Sequence, residues 1–481
     1  MQLSSKIKGI FRVSAANLVA LSLSMLTSFV LPLYISVEQY GYWQLFVLYT
    51  GYVGLFVLGF NDGIQLNYAT FDYDRNLASK FRSFKLFLLI MTGIETVALF
   101  VATFFLYSWK TFDWFLAVLV IANIIPTALN GLFTYMNQST MRFKQYSYGN
   151  LIDKISFAGL MLVLLFAGEK NSLAYMLAFT ITRYLVVVYH FFSSREVFVT
   201  KRTPLASLKD EIKYNFRQGF PLMLAVILGG PTIIVGSRFL VQAKFGIEAF
   251  SAYSFSLHTL IIASQFISAV ATVFYPILKR CKADELQSMY GSFDKVATIF
   301  SAILLLSYYP AAFLVKYFYG QYDVILEYLF VVYPLFIFQC KSNVLITNMF
   351  KVKDKPKELI LVNAFGIALH IISVFIAYWI WRTIFAIATA SLLAYAAWYY
   401  IMQVFIYKRV KWQLRSFLFE DLVMTIVFIF INIICLTSVS NAYMQMLVGF
   451  LTCICCLFVM WLVRRKQIVA DLREFKVLMN D

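Results

Sequence analysis

Long apolar runs alternate with short polar segments over the whole chain. Each run is close to the roughly 20 residues that an α-helix needs to cross the hydrocarbon core of a bilayer. The first run, Val13 to Val37, is longer than the core of a signal peptide and is expected to remain as an anchor. The pattern predicts fourteen membrane-spanning helices, at 13–36, 40–60, 84–108, 114–135, 148–167, 173–193, 218–240, 250–277, 296–315, 324–350, 359–380, 383–407, 421–437 and 446–463.

Composition supports a membrane protein. Of the 481 residues, 61% are hydrophobic and only 14% are charged, and the mean hydropathy is +0.76. A soluble domain of ordinary size does not fit beside fourteen helices. We therefore predict an all-α membrane protein.

Positive charge is concentrated in one set of loops. Of the 41 Lys and Arg residues, thirty-two fall in the N-terminal segment, the even-numbered loops and the tail, and five fall on the other side. This asymmetry predicts that both termini lie in the cytoplasm. Attraction to anionic headgroups accounts for the net charge of +17, so no nucleic-acid partner is predicted.

An internal repeat divides the predicted helices into two sets of six. Ile7–Arg12 recurs as Ile212–Arg217, and the same offset maps Tyr40-Gly41 onto Phe245-Gly246. Two similar basic helix starts would also look alike without a duplication, but the shared register favours a repeat. We predict an N-terminal lobe at 1–200, a C-terminal lobe at 201–410 around a central cavity, and two further helices with a cytoplasmic tail at 411–481.

The longest predicted cytoplasmic loop falls between the two lobes. It runs from Ser194 to Arg217 and contains Pro204 and six cations. Its position and composition predict a hinge between the lobes.

Polar side chains recur at helical spacing in two predicted spans. Lipid cannot satisfy such groups, so each face must point at other helices or at water. Hydrogen bonding between helices explains either stripe alone, whereas two stripes in different lobes favour a shared aqueous cavity. The stripes are Asn123, Thr127, Asn130, Thr134 and Asn137 in span four, and Ser251, Ser254, His258, Gln265, Ser268 and Thr272 in span eight.

Ionisable groups inside the spans carry an excess of positive charge. Arg183 and Lys341 lie near the predicted midplane, and Arg238 lies close to the outer end of span seven. A buried excess of positive charge is stable if an anion or water visits it, which favours a phosphate-bearing substrate. The alternative is that Glu95 forms a structural ion pair with Arg183 or Lys341.

Other polar residues receive structural roles. Asp153 and Lys154, near the predicted inner end of span five, are expected to anchor the helix at the membrane interface. His190 and His370 are expected in packing positions. The six cysteines show neither a disulfide framework nor a zinc spacing, and no cofactor is predicted.

Catalytic signatures are missing from the sequence. It contains no Walker A motif, no HExxH and no Gly-x-Ser-x-Gly, which excludes an ATP-driven pump within this chain. Predicted external loops of about ten residues or fewer leave little space for a catalytic pair. We therefore predict a transporter and not an enzyme such as a glycosyltransferase, polymerase or ligase.

Several segments resemble one family of transporters. The basic start Lys6–Arg12, the first loop ending in Tyr40-Gly41, the motif Leu58–Ile64, and the segments Tyr317–Tyr322 and Lys351–Lys357 are similar to the bacterial polysaccharide (O-antigen) repeat-unit flippases of the multidrug/oligosaccharidyl-lipid/polysaccharide (MOP) exporter superfamily. The resemblance implies two six-helix lobes around a central cavity. It also implies movement of undecaprenyl-pyrophosphate-linked oligosaccharide from the inner to the outer leaflet of the bacterial inner membrane by alternating access.

Two transport hypotheses remain open. An ion-coupled multidrug exporter typically needs a carboxylate in the first or seventh span, but neither 13–36 nor 218–240 contains Asp or Glu. A flippase would bind the lipid-linked oligosaccharide, act beside a polymerase and other glycan-assembly proteins, and work as a monomer. Its pyrophosphate would be held by Arg238, Lys341 and Arg183, and its sugar path would be lined by His258, Gln265, Asn123 and Asn130.

Overall fold

A computed structural model describes most of the chain. The described residues are 2–69, 71–106, 111–229, 234–280, 286–353, 356–410, 420–459 and 462, with side chains at all of these except 2–15, 17, 226, 261–280, 288, 351, 356 and 409–410. These residues form α-helices with short 3₁₀- and π-helical segments, and none of them lies in a β-strand. The prediction of an all-α membrane protein is confirmed.

Nine helices in the described ranges are long and apolar enough to cross a bilayer. Two bent helix pairs also qualify if each pair is one span: Val37–Val57 with Phe60–Asn67 bends by 59°, and Gly320–Val332 with Leu335–Phe350 bends by 51°. The described residues thus contain up to eleven spans, and the count of fourteen remains a prediction.

The chain divides into two compact units, Met1–Leu224 and Ala225–Asp481. This division lies beyond the lobe boundary predicted at residue 200, and it falls inside a helix. Both described helices after residue 411 belong to the second unit.

In the first unit, α1 packs along α7, and α7 packs on α8. The described helices are α1 (Gln2–Tyr34), α2 (Val37–Tyr52), α3 (Phe60–Asn67), α4 (Arg75–Leu106), α5 (Phe112–Ala122), α6 (Ile124–Ser139), α7 (Phe143–Phe166), α8 (Ser172–Ser193), α9 (Glu196–Val199) and α10 (Lys209–Ile227).

The break between α5 and α6 follows from one proline. Pro126 has no backbone N–H and cannot bond to the carbonyl of Ala122, four residues earlier. The hydroxyl of Tyr184 on α8 donates to that carbonyl at 3.0 Å. A side chain of a neighbouring helix therefore satisfies the backbone group that the proline leaves open, as a bilayer requires.

Glycines let α3 approach α10 closely. Leu58 and Gly59 both have left-handed φ angles, which turns the chain before α3 begins. A Cβ atom on Gly63 would lie 2.0 Å from the carbonyl oxygen of Asn215, and one on Gly219 would lie 1.9 Å from that of Gly59. Side chains are therefore excluded at this crossing.

Polar contacts also hold α10 within the first unit. Asn67 donates to Oδ1 of Asn215 at 3.1 Å, and Lys80 pairs with Glu211 at 2.6 Å. Tyr68 donates to the same Glu211 carboxylate, and burial, with this hydrogen bond, raises the pKa of Tyr68 well above its usual range. The start of α10 is thereby fixed to α3 and α4.

The segment predicted as a hinge is bound to α4. Ser79 donates to the carbonyl of Lys201 at 2.6 Å, and Ser83 donates to the carbonyl of Thr203 at 2.6 Å. Arg82 donates to the carbonyl of Thr200. At least residues 200–203 are therefore bound within the first unit, and a hinge between the lobes remains a prediction.

The second unit also contains a run of helices, and one of them is interrupted. Gly246 has φ 86° and ψ −175°, so two helices meet there within α11. The described helices are α11 (Val235–Arg280), α12 (Leu286–Leu305), α13 (Tyr308–Phe318), α14 (Leu326–Val332), α15 (Leu335–Lys341), α16 (Asn348–Val352), α17 (Pro356–Trp381), α18 (Ile384–Val410), α19 (Glu420–Ser438) and α20 (Ala442–Val459). A π-helical segment, Ser342–Thr347, joins α15 to α16.

Candidate functional site

Three charged side chains meet between α7 and α8. Lys154 Nζ lies 3.0 Å from Oδ2 of Asp153, and Arg183 Nη1 lies 3.6 Å from Oδ1 of the same carboxylate. We call Asp153, Lys154 and Arg183 the cationic cluster, because two cations share one acid.

The cationic cluster lies at the middle of its helices. Arg183 is eleven residues after the start of α8 and ten before its end, about 15 Å from each at the helical rise. Asp153 and Lys154 lie near the centre of α7, which begins at Phe143 and not at the predicted 148. Asp153 and Lys154 therefore do not lie near the end of their helix, where interface anchors were expected, because α7 begins before its apolar run.

Arg183 keeps hydrogen-bonding capacity. Its contact with Asp153 is too long for a hydrogen bond, and its guanidinium lies 4.8 Å from the ring centroid of Phe179. The side chains of Arg183 and Lys154 are 28% and 30% exposed. A planar guanidinium presents its donors in the geometry that phosphate and carboxylate groups accept.

The polar stripe of span four faces α8 at two of its positions. Asn123 donates to Oγ1 of Thr180 at 2.9 Å, and Asn130 donates to the backbone carbonyl of Arg183 at 3.0 Å. Both asparagines are buried. Their amides therefore join α6 and its preceding turn to α8, so the expectation that they point into an aqueous path is corrected at these two positions.

Each of these asparagines still has an open acceptor. Oδ1 of Asn123 and Oδ1 of Asn130 are buried and have no hydrogen-bond partner among the described residues. Asn137 lies two helical turns beyond Asn130 on the same stripe and is fully buried. Its Oδ1 and Nδ2 also have no hydrogen-bond partner among the described residues.

Glu95 does not form the ion pair proposed from the sequence. Arg183 contacts Asp153, Lys341 contacts other acids, and Oε2 of Glu95 has no hydrogen-bond partner within the described ranges. Glu95 is half-buried on α4. The alternative that it neutralises Arg183 or Lys341 is therefore wrong.

In the second unit, Arg238 contacts the stripe of span eight. Its Nη2 donates to Oγ of Ser254 at 3.1 Å, and its guanidinium lies 5.4 Å from the ring centroid of Phe250. His258, one turn beyond Ser254, is half-buried, and its Nδ1 has no partner in the described part of the chain. Gln265 belongs to α11, but its side chain lies outside the described residues.

Lys341 is not available to an anionic substrate. Its Nζ lies 2.7 Å from Oδ1 of Asp294 and 2.5 Å from Oδ2 of Asp421, and it donates to Oγ1 of Thr298 at 2.7 Å. The lysine side chain is 1% exposed. Since an ammonium has three N–H donors, these three contacts use all of them. The prediction of a pyrophosphate-binding role for Lys341 is therefore wrong.

The acids around Lys341 were missed because each lies at the predicted start of its span, where an acid is expected to meet water. Asp294 precedes the predicted span 296–315, and Asp421 is the first residue of the predicted span 421–437. Both carboxylates are nevertheless buried. An acid at the end of an apolar run, opposite a lysine within another run, is the signal that could have indicated the pairing.

Comparison with known proteins gives structural matches only. No protein-family model matches the chain, and no curated protein sequence matches it. The lipid II flippase MurJ, in an inward closed conformation, matches with a TM-score of 0.66 and 14% identity, over 95% of this chain and 99% of the flippase.

Two transporters of the MOP superfamily also match. An inward-facing multidrug resistance MATE family transporter gives a TM-score of 0.65 at 10% identity, over 80% of this chain and 94% of its own. A transporter from Pyrococcus furiosus, described as having a binding pocket of reversed polarity, gives 0.59 at 12% identity, over 84% and 96%. The chain therefore has the all-α fold shared by these transporters and the flippase, as its sequence predicted.

Proposed function

We propose that this protein is a flippase that moves undecaprenyl-pyrophosphate-linked oligosaccharide from the inner to the outer leaflet of the bacterial cytoplasmic membrane by alternating access. The hydrocarbon chain of such a substrate can stay in lipid, so the protein has to accommodate only the charged and hydroxylated head. Other glycan-assembly proteins, including a polymerase, are the expected partners.

The observation that carries this proposal is the cationic cluster. Lys154 and Arg183 share the single carboxylate of Asp153, which leaves one excess positive charge about halfway along α7 and α8. At an effective dielectric constant of 20, a unit charge pair at 4 Å gains about 4 kcal/mol before the cost of desolvation. A pyrophosphate is therefore favoured over a neutral head of the same size.

Arg238 is the second cation that suits the head. It donates to the hydroxyl of Ser254, and it acts electrostatically on His258. A phosphate oxygen or a sugar hydroxyl can bond beside such groups. Within the second unit, we therefore propose Arg238 as a further phosphate-binding residue, with His258 and Gln265 on the sugar path.

Two further observations favour a flippase over an ion-coupled multidrug exporter. The flippase structure matches 95% of this chain, whereas the two transporters match 80% and 84%. Neither 13–36 nor 218–240 contains an acidic residue that could bind a cationic drug or a coupling ion.

The test uses the purified full-length protein in liposomes. One assay follows a fluorescent undecaprenyl-pyrophosphate-linked sugar between leaflets, and a parallel assay follows efflux of a lipophilic cation. The proposal expects movement of the lipid-linked sugar and none of the cation. Cation efflux without sugar movement would establish the exporter instead.

A further inference from the structure

The buried group around Lys341 has a charge imbalance of its own. We call Lys341, Asp294 and Asp421 the lysine triad; α15, α12 and α19 contribute one member each. All three side chains are buried. With both acids ionised, the triad carries one excess negative charge, and an uncompensated charge at such depth is strongly unfavourable.

One carboxylate oxygen of the lysine triad is still open. Asp421 receives the lysine through Oδ2, while its Oδ1 is buried and lacks a hydrogen-bond partner in the described ranges. Thr425, one helical turn further along α19, is also buried, and its Oγ1 is equally without a partner there. An acceptor without a donor and an unpaired hydroxyl therefore lie one helical turn apart on α19.

We propose that the lysine triad binds one exchangeable proton, and that this proton holds α19 against α12 and α15. The proton adds to a carboxylate oxygen and forms an O–H bond, which makes the triad neutral.

A metal cation suits the lysine triad less well than a proton does. The ammonium of Lys341 already occupies the position between the two carboxylates, at 2.7 Å and 2.5 Å. A second full positive charge beside it would be repelled, and a desolvated ion needs several oxygen ligands. A proton needs only one oxygen.

The tyrosines around the lysine triad do not neutralise its excess negative charge. Tyr399 on α18 donates toward Oδ1 of Asp294 at 3.5 Å and accepts from Gln403, and Gln403 also accepts from Tyr290 on α12. Tyr400 accepts from the backbone N–H of Leu422. Phenols are uncharged at neutral pH.

Two charged residues lie next to the acids in sequence. Glu420 precedes Asp421 and acts electrostatically on Asp294, where it adds to the negative charge. Lys295 follows Asp294 on α12 and is half-buried. The ion pairs of Asp294 and Asp421 in the described ranges are both with Lys341, so the proton is assigned to this pair of acids.

The proposed proton fixes the direction in which the stability of the folded state changes with pH. An unfolded Asp loses its proton near pH 3.9, whereas the folded triad retains one at neutral pH. The folded state therefore binds more protons, and its stability falls as the pH rises through the interval in which only the folded state is protonated. One proton corresponds to about a tenfold change in the equilibrium constant per pH unit.

Cys435 provides a reporter on α19, because its thiol is buried there. The experiment uses the full-length protein in nanodiscs with Cys435 as the sole cysteine and measures the rate of maleimide labelling between about pH 6 and about pH 9. Asp421→Asn leaves a neutral pair of Lys341 and Asp294 and removes the proton site. We expect the ratio of labelling rates, unsubstituted over Asp421→Asn, to rise by up to about tenfold per pH unit.

Controls separate the proton from other causes. Because both proteins contain the same thiol, its own ionisation cancels in the ratio. Asp294→Asn should behave like Asp421→Asn, whereas Asp323→Asn, which removes the acid paired with Lys316 near the surface, should behave like the unsubstituted protein. A ratio that stays constant with pH, or that responds to sodium instead, would overturn the proposal.

Infrared spectroscopy gives a second measurement if the variants fail to fold. Protein labelled with ¹³C-aspartate should show the C=O stretch of a protonated carboxylic acid at neutral pH. If every aspartate is ionised under these conditions, the proposal is wrong. Neither experiment involves a transported substrate, so both outcomes are independent of the proposed function.

Discussion

The side-chain amide of Asn130 donates to the backbone carbonyl of Arg183 at 3.0 Å. This bond joins α6 to α8 at the level of the cationic cluster, and its donor is buried. The polar stripe of span four thus has a positional role: it fixes the backbone from which the guanidinium of Arg183 extends.

Replacement of Arg183 tests the role of the cationic cluster. Arg183→Gln removes the excess positive charge and the planar donors. We expect the transport rate of lipid-linked oligosaccharide in liposomes to fall at least about tenfold, which corresponds to about 1.4 kcal/mol of lost interaction. Arg202→Gln removes the same charge from an exposed position and should leave the rate unchanged. Equal rates in both variants would exclude Arg183 from substrate binding.

Replacement of Asn130 tests its positional role. Asn130→Ala removes one buried hydrogen bond and leaves the carbonyl of Arg183 without this donor, which costs about 1–3 kcal/mol. We expect a lower Tm and a smaller loss of transport than in Arg183→Gln. The matched control is Thr134→Ala on the half-buried part of the same stripe, which should change Tm less. If the two variants lose equal stability, the hydrogen bond from Asn130 to the carbonyl of Arg183 makes no specific contribution to stability.

Replacement of Lys341 separates a structural from a binding role. Lys341→Met leaves two buried carboxylates without their cation, and breaking such a pair costs about 3–5 kcal/mol. We expect little folded protein in the membrane fraction. The triple variant Lys341→Met, Asp294→Asn, Asp421→Asn removes every charge of the triad and should recover folded protein. Normal amounts of folded Lys341→Met would contradict a structural role.

Two glycine replacements test the crossing of α3 and α10. Gly63→Ala would bring a Cβ atom to 2.0 Å from the carbonyl oxygen of Asn215, so the backbones must separate. We expect a loss of several degrees in Tm and reduced yield. Gly93→Ala on α4 meets no atom within 4 Å and should keep or raise Tm, because alanine favours a helix by about 0.5–1 kcal/mol. A normal Tm in Gly63→Ala would mean that the crossing tolerates a wider spacing.

The membrane fold could be predicted from the sequence because hydropathy depends on the composition of each run alone. The breaks were harder to place. Pro126 and Pro334 lie within apolar runs, and their effect depends on which neighbour bonds to the open carbonyl, as Tyr184 does for Ala122. The predicted spans 114–135 and 324–350 therefore miss the divisions between α5 and α6 and between α14 and α15.

The candidate site was only partly predictable, because a sequence gives the position of a charge but not its partner. Arg183 was expected near the midplane and lies at the middle of α8. Asp153 and Lys154 were assigned to the interface because polar residues before position 148 were taken as loop, although α7 includes them. The acids beside Lys341 received no role, because Asp294 precedes its predicted span and Asp421 is the first residue of its own.

The sequence separation within the lysine triad has a consequence for biosynthesis. Asp421 follows Lys341 by 80 residues, whereas Asp294 precedes it, so the ribosome delivers the first acid and the lysine long before the second acid. During that interval, Asp294 and Lys341 can neutralise each other, and the growing chain can enter the bilayer with balanced charge. Translation of α19 then completes a group whose first two members are already in place.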